Sequence, residues 1–259
     1  MSVSKHEKDK RPLNDSNICI VIPTFNNEKT IASIIKRTLC FAYQIIIIDD
    51  GCTDHTREQL FPYLDKIMII KNKRNRGKGC ALKIGLTKAQ TMGYRYAITL
   101  DADGQHYPED IPLFIKEIKK YPDALIIGSR TLQNKNMSKN STFANRLSNF
   151  WFYIQTGKRL PDTQTGFRLY PLQKIKYLKL LTAKYEAELE LLVFSAWHDI
   201  TIQPISIRVY YPPKSEQVSH FRPFTDFARI SILNTVLCIA TIIYGIPLRA
   251  KHFIRRIIQ

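Results

Sequence analysis

At 259 residues, with 44% apolar, 11% aromatic and 24% charged side chains, the chain is long enough to bury a sizeable core in one large domain or two small ones. Its 10 glycines and 13 prolines exclude a collagen-like or low-complexity chain, and the aromatic content argues against global disorder. Lys and Arg number 39 against 22 Asp and Glu, a net charge of +17 that implies an anionic partner: nucleic acid, an anionic membrane face or a phosphorylated substrate.

Residues 1–17 are polar and charged, lack the apolar run of a secretory signal, and read as a disordered basic arm. Ile18 to Ile22, ended by Pro23, suits a buried strand, and Lys29 to Phe41 carries Ile31, Ile34, Ile35 and Leu39 at helical spacing. QIIIIDDG is a second strand closed by two acids and a glycine. A helix is expected over Thr53 to Leu64, then the strand KIMII, a helix over 78–92 and the strand of YAITLDAD. Pro108 to Lys120 reads as a helix and ALIIGSR as a further strand. Strands apolar on both faces, alternating with helices, describe an α/β fold with a mostly parallel central sheet flanked by helices.

The five cysteines (Cys19, Cys40, Cys52, Cys80 and Cys238) form no CxxC pair, and three lie in or beside apolar runs. They read as free thiols in a reducing compartment, so a cytoplasmic location is expected. His106, His198 and His220 lack an HxxxH spacing, which argues against zinc.

Polar chemistry clusters where the strands end: Thr24 and Asn26, Asp49 and Asp50, Asp101 and Asp103, then Arg130. In open α/β sheets ligands bind beyond the carboxyl ends of the strands, so these ends describe one site. Its strongest local signal is Asp101-Ala102-Asp103-Gly104-Gln105-His106. Two carboxylates at i and i+2 can converge on one cation where the chain turns, and Gly104 permits the turn. Oxygen ligands favour Mg²⁺ or Mn²⁺, with Gln105 or His106 adding a ligand or a diphosphate contact.

Six motifs occur in order: VIPTFNNE (21–28), DDGCTD (49–54), NRGKGCALKIG (75–85), DADGQH (101–106), IGSR (127–130) and DTQTGFRLY (162–170). Across roughly residues 18–215 the chain resembles the family 2 glycosyltransferases of the GT-A fold, on the polyprenyl-phosphate (dolichol-phosphate) mannosyl- and glucosyltransferase branch. The resemblance implies a metal-dependent, inverting transfer of a hexose from a GDP- or UDP-sugar to a lipid-linked acceptor. Cys52 departs from the small hydroxyl residue usual in the family.

By the same resemblance, Pro23, Thr24 and Glu28 line the nucleoside pocket, Asp49 and Asp50 bind the base and its surroundings, and the stretch with Gly77 and Lys78 closes around the nucleotide. Asp101 is the first acid of the DxD, Asp103 the principal metal ligand, and Gln105 a metal or diphosphate contact. Arg130 and Arg146 meet the donor and acceptor phosphates, where bidentate guanidinium contacts favour Arg over Lys. Asp162, Gly166 and Arg168 belong to a loop under the acceptor site, with Gly166 permitting a tight turn. Residues 131–142 read as a mobile lid. A hydroxyl acceptor on a glycolipid, lipid or polysaccharide requires a general base, and Glu188 is favoured over Glu186; the other reading of these glutamates, and of Glu190, is a solvated helix face.

From Ile230 to Ile246 no residue is charged. Ser231, Asn234, Thr235, Cys238 and Thr241 form a polar stripe opposite Ile232, Leu233, Val236, Ile239 and Ile243, which favours a helix lying in the membrane interface over a lone span. Arg249, Lys251, Arg255 and Arg256 add basic charge suited to an anionic leaflet. Residues 216–259 are therefore read as a membrane-associated tail, and the protein as peripheral on the inner membrane face. A nucleic-acid partner is not expected, because strand-end carboxylates repel phosphate unless a metal intervenes and no reader motif is present.

Overall fold

The computed structural model describes residues 17–41, 44–130, 139–178, 182–211 and 223–251. Residues 1–16 of the basic arm, residues 131–138 of the expected lid, and Arg255 and Arg256 lie outside them. Among the described residues seven strands form one sheet: β1 (Ile18–Thr24), β2 (Ile45–Asp49), β3 (Ile67–Lys71), β4 (Tyr96–Thr99), β5 (Leu125–Arg130), β6 (Arg168–Pro171) and β7 (Ile202–Ile207), in the order β3-β2-β1-β4-β6-β5-β7. All neighbours are parallel except β6, which runs antiparallel to both β4 and β5.

The register aligns the strand ends that carry the chemistry. Thr24 pairs with Asp49, Asp49 with Lys71 and Val21 with Thr99, so β1, β2 and β4 deliver their polar exits side by side. Burial makes this register costly to slip. All four isoleucines of β2 are fully buried, at about 1.5–3 kcal/mol of burial each.

One face of the sheet is covered by α1 (Ile31–Thr38) and α3 (Ile111–Lys120), each with an apolar stripe turned inward. The other face carries α2 (Lys78–Thr91), α4 (Lys139–Thr156), the short α5 (Leu172–Ile175), α6 (Glu186–Trp197) and α7 (Pro223–Ala240). The expected helix over Thr53–Leu64 shrinks to a 3₁₀ segment, Glu58–Tyr63, because Pro62 interrupts the α-helical hydrogen bonding. Residues Pro108–Asp110 likewise form a 3₁₀ turn before α3. All five cysteines are free; burial pushes the thiols of Cys19 and Cys52 up to about 12.

The C-terminal segment continues from α7 through a π turn (Thr241–Gly245) to residue 251. The stretch Ile230–Lys251 has 22 residues and contains an 18-residue window of mean hydropathy 1.9, so it has the length and composition to cross a bilayer. Its inner face docks on α4 and α6 through Leu233, Asn234 and Leu237. Gln155 of α4 donates to Asn234 Oδ1 at 3.0 Å and its carbonyl accepts from Trp197 Nε1 at 2.9 Å and Thr241 Oγ1 at 3.3 Å. The polar stripe is thus partly a docking surface, whereas Ile232, Val236, Ile239, Ile242, Ile243 and Ile246 stand out, each about half exposed or more. Leu233, expected on the outward apolar face, is buried. The Arg249 guanidinium donates to Thr156 O, the last carbonyl of α4, where the helix dipole favours a cation, so this arginine faces the protein rather than a leaflet.

Candidate active site

β4 exits through Leu100 into the DADGQH turn, and Gly104, at φ 81, makes the left-handed step expected there. The Asp101 carboxylate meets Lys78 Nζ at 2.7 Å, and the same ammonium meets Glu188 Oε2 at 3.0 Å. Burial alone pushes the Lys78 ammonium down; the charges of Asp101 and Glu188 outweigh it and the net shift is upward. Burial pushes Asp101 up, but Lys78 and then His106 reverse this and leave its carboxyl below the usual range. Asp103 goes the other way: burial first, and Asp101's charge second, push its carboxyl up. Its Oδ1 accepts from the Gln105 backbone N–H at 2.9 Å.

His106 is buried beneath the turn, with Nδ1 4.0 Å from Asp101 Oδ2 and Nε2 3.4 Å from Thr165 Oγ1. Gly166 does not adopt the left-handed conformation of a tight turn. What it supplies is clearance: a Cβ there would lie 2.5 Å from Asp101 Oδ2. The turn is also pinned by residues the sequence did not announce. Arg208 grips Asp110 through its backbone N–H at 2.7 Å and its guanidinium at 2.7 Å. Arg37 grips Glu109 at 2.6 Å, and both guanidinium groups lie against the Tyr107 ring, at 5.3 and 5.2 Å. The sole sequence signal was the acidic Tyr-Pro-Glu-Asp directly after the motif.

On the nucleoside side the structure redirects two expectations. Asp49 is fully buried and accepts from Cys52 N at 2.8 Å and Arg57 Nε at 2.6 Å. Burial pushes its carboxyl up, but these bonds, Arg57's first, bring it below the usual range. Asp50 accepts from Asn72 Nδ2 at 2.7 Å and from the backbone N–H of Arg76 at 3.1 Å and of Gly77 at 2.8 Å. Both carboxylates therefore hold loops of the protein. Pro23 is half-buried, and Thr24 is buried with its hydroxyl on Asn27 Oδ1 at 3.1 Å. Glu28 receives the His55 N–H at 3.0 Å. Gly77 and Gly79 bring α2 onto the start of α6: a Cβ on Gly79 would lie 2.4 Å from Ala187 Cβ.

Arg130, at the end of β5, forms a bidentate pair with Asp162, Nε–Oδ2 2.6 Å and Nη2–Oδ1 3.0 Å. Asn145 of α4 donates to the same carboxylate at 2.6 Å. Burial pulls the guanidinium down, but Asp162, with Tyr211 and Asp101 behind it, keeps it above its ordinary value. Arg146 is exposed on α4.

Arg168 corrects a further expectation. It is fully buried, and its guanidinium donates to the carbonyls of Thr165 at 2.7 Å, Glu188 at 2.7 Å and Thr163 at 2.9 Å. It ties the 162–168 loop to α6 and reaches no solvent. The glutamates are not a solvated face either: Glu186 is half-buried, Glu188 is buried on Lys78, and Glu190 is fully buried and accepts the Thr182 N–H at 2.9 Å. The reason is that α6 is covered on all sides, Ala187 to Val193 being buried without a break.

A mixed, mostly parallel sheet with an acidic turn beyond β4 and basic groups around it defines a GT-A glycosyltransferase. The comparisons agree: residues 19–178 match the model for Glycosyl transferase family 2, and the chain belongs to that family. It is 30% identical over 219 residues to the UDP-N-acetylglucosamine–dolichyl-phosphate N-acetylglucosaminyltransferase of Methanococcus voltae, covering 76% of this chain and 87% of that protein. The human dolichyl-phosphate beta-glucosyltransferase is 27% identical over 217 residues, covering 73% of this chain and 66% of its own length. Glucosyl-3-phosphoglycerate synthase of Mycobacterium tuberculosis, solved with Mn²⁺, UDP-glucose and phosphoglyceric acid, shares the fold at TM-score 0.62 and 18% identity, over 91% of this chain and 81% of that one.

Proposed function

We propose that this enzyme moves a hexose from a GDP- or UDP-sugar to a polyprenyl-phosphate-type lipid, with inversion at the anomeric carbon, at the cytoplasmic face of a membrane. The observation that carries the reading is the carboxylate pair in one turn after β4: Asp101 meets Lys78 Nζ at 2.7 Å, and Asp103 two residues on is pushed up, first by burial and second by the charge of Asp101. The donors there are oxygens from one short turn, and the described residues hold no cluster of three or more His, Cys, Asp and Glu side chains. Such a set fits Mg²⁺ or Mn²⁺, which fill their remaining positions with water and substrate phosphate. Asp101, Asp103 and Gln105 would hold the ion, and once bound it neutralises charge on the departing diphosphate.

The protein's own groups do the rest. Lys78 presents an ammonium that cannot deprotonate near neutral pH, and Arg130, fixed by Asp162, presents a guanidinium of set direction. With Arg146 these suit the phosphates of donor and acceptor. A phosphate acceptor supplies its own anionic oxygen, so no base is needed. The ridge of Ile232, Val236, Ile239 and Ile243 suits a lipid surface, consistent with relatives named for dolichyl phosphate. Calorimetric binding of UDP and GDP with and without Mn²⁺, followed by transfer assays onto dolichyl phosphate and onto a glycolipid hydroxyl, tests this reading. Metal-dependent binding and transfer to the phosphate lipid are expected. Binding of neither nucleotide with Mn²⁺, or transfer confined to the hydroxyl, overturns it.

A further inference from the structure

Glu188 has the side chain expected of a base but not the placement. It lies on the first turn of α6, its side chain is 9% exposed, and it points at Lys78 rather than into an open cleft. That meeting is built in from both sides. Lys78 opens α2 between Gly77 and Gly79, and neither glycine could carry a Cβ without striking α6 or the residues just before it. Cys80 N–H donates to Ala183 O at 2.7 Å, closing the contact. Arg168 Nη1 donates to the Glu188 backbone carbonyl at 2.7 Å. Two helices are therefore brought together at glycine distance, and the outcome is an ammonium suspended between Glu188 and Asp101.

We propose that Glu188 is a positioning residue: its carboxylate holds the Lys78 ammonium at the mouth of the Asp101 turn, where it receives the donor's nucleoside diphosphate. The assignment rests on the donor class proposed above. Asp101 alone could not fix the ammonium once its oxygens serve a cation, whereas Glu188, which meets the same ammonium at 3.0 Å, keeps its grip. A lysine tethered at one fixed point loses less rotamer freedom on meeting phosphate than a free one.

Three variants separate positioning from proton transfer. Leucine at 188 removes the acceptor; glutamine keeps an oxygen that accepts an ammonium N–H but is no base. Glu188→Leu is expected to weaken UDP or GDP binding in Mn²⁺ about tenfold and to raise the donor KM more than it lowers kcat. Glu188→Gln is expected to restore both to within about threefold. In a Lys78→Met background, Glu188→Leu is expected to add no further loss of nucleotide affinity.

The inference is overturned if Gln and Leu lose turnover alike by about a hundredfold or more with nucleotide affinity intact, the signature of a base. It is equally overturned if the Lys78→Met and Glu188→Leu effects are independent. Should Glu188→Leu fail to fold by circular dichroism, Glu188→Gln decides: a hundredfold loss of turnover at unchanged affinity refutes positioning, and near-wild-type kcat with Lys78→Met weakened supports it. A wild-type protein that binds neither nucleotide removes the donor reading itself, whereas wild-type binding that Lys78→Met leaves unchanged removes only this inference.

Discussion

The chain carries two carboxylate pairs at strand ends, Asp49-Asp50 after β2 and Asp101/Asp103 after β4, and they differ in how their charge is met. The first pair is consumed by the protein: Arg57 and Cys52 N–H for Asp49, and Asn72 with two backbone N–H groups for Asp50. In the second pair Lys78 meets Asp101, and Asp103 has its carboxyl raised, first by burial and second by the charge of Asp101. Satisfied carboxylates build a loop; a pair in excess of its counter-charge is poised to take a cation. Replacing one member of each pair should therefore produce opposite phenotypes.

The largest effect is expected at Asp103. Asp103→Ala should lower transferase turnover by about a hundredfold or more and abolish Mn²⁺-dependent nucleotide binding, while the melting temperature holds or rises because a poorly compensated charge is gone. An equal loss of stability and activity would erase the contrast. Asp49→Ala should do the reverse, costing about 1–3 kcal/mol in denaturant unfolding by leaving the buried Cys52 N–H unpaired. The Arg57 contribution is discounted, since that side chain is 41% exposed.

Arg168 sharpens the point from the cationic side. Arg168→Met strips three buried carbonyls of their donor, so a stability loss of about 3–5 kcal/mol is expected, read by urea midpoint. A smaller effect separates the two faces of the C-terminal helix. Ile239→Ser with Ile243→Ser should release the protein from anionic lipid vesicles in a flotation assay with little change in melting temperature, because both side chains are more than half exposed. Asn234→Leu should instead lower the melting temperature, since Gln155 loses its buried partner.

The smallest effect is in acid. Asp49 and Asp162 have folded values below the unfolded one of about 3.9, so their contribution is complete above that pH and is lost as pH falls through the folded values. Melting temperature should decline below about pH 4, and Asp162→Asn should make that decline shallower. An unchanged slope would remove the Arg130–Asp162 pair as a source of stability.

Much of the sheet was legible because apolar runs such as Ile45–Ile48 need no tertiary information to be recognised as buried strands. The DADGQH turn was legible for a related reason: acids and a glycine directly after such a run have no other place than a strand end. Strands β6 and β7 were harder. β6 has four residues and begins with the buried arginine of a loop motif, and β7 carries Pro204 and alternates weakly. In α6, glutamates spaced through the helix resembled a solvated face, since nothing local reveals that Lys78 and the Thr182 backbone wait to receive them.

Sequence by itself determined where the chemistry stands, because periodicity and turn residues fix which positions leave the sheet and in what order. Only the tertiary structure decided which of those charges are spent. Asp50, Asp162 and Arg168 find partners in Asn72, Arg130 and Glu188, twenty or more residues away, and Glu188 meets Lys78 because two glycines let α2 and α6 touch. Whether a charged side chain anchors the fold or stays free for a ligand is settled by the sum of burial and counter-charge around it. That sum is assembled across the fold and is written in no local stretch of residues.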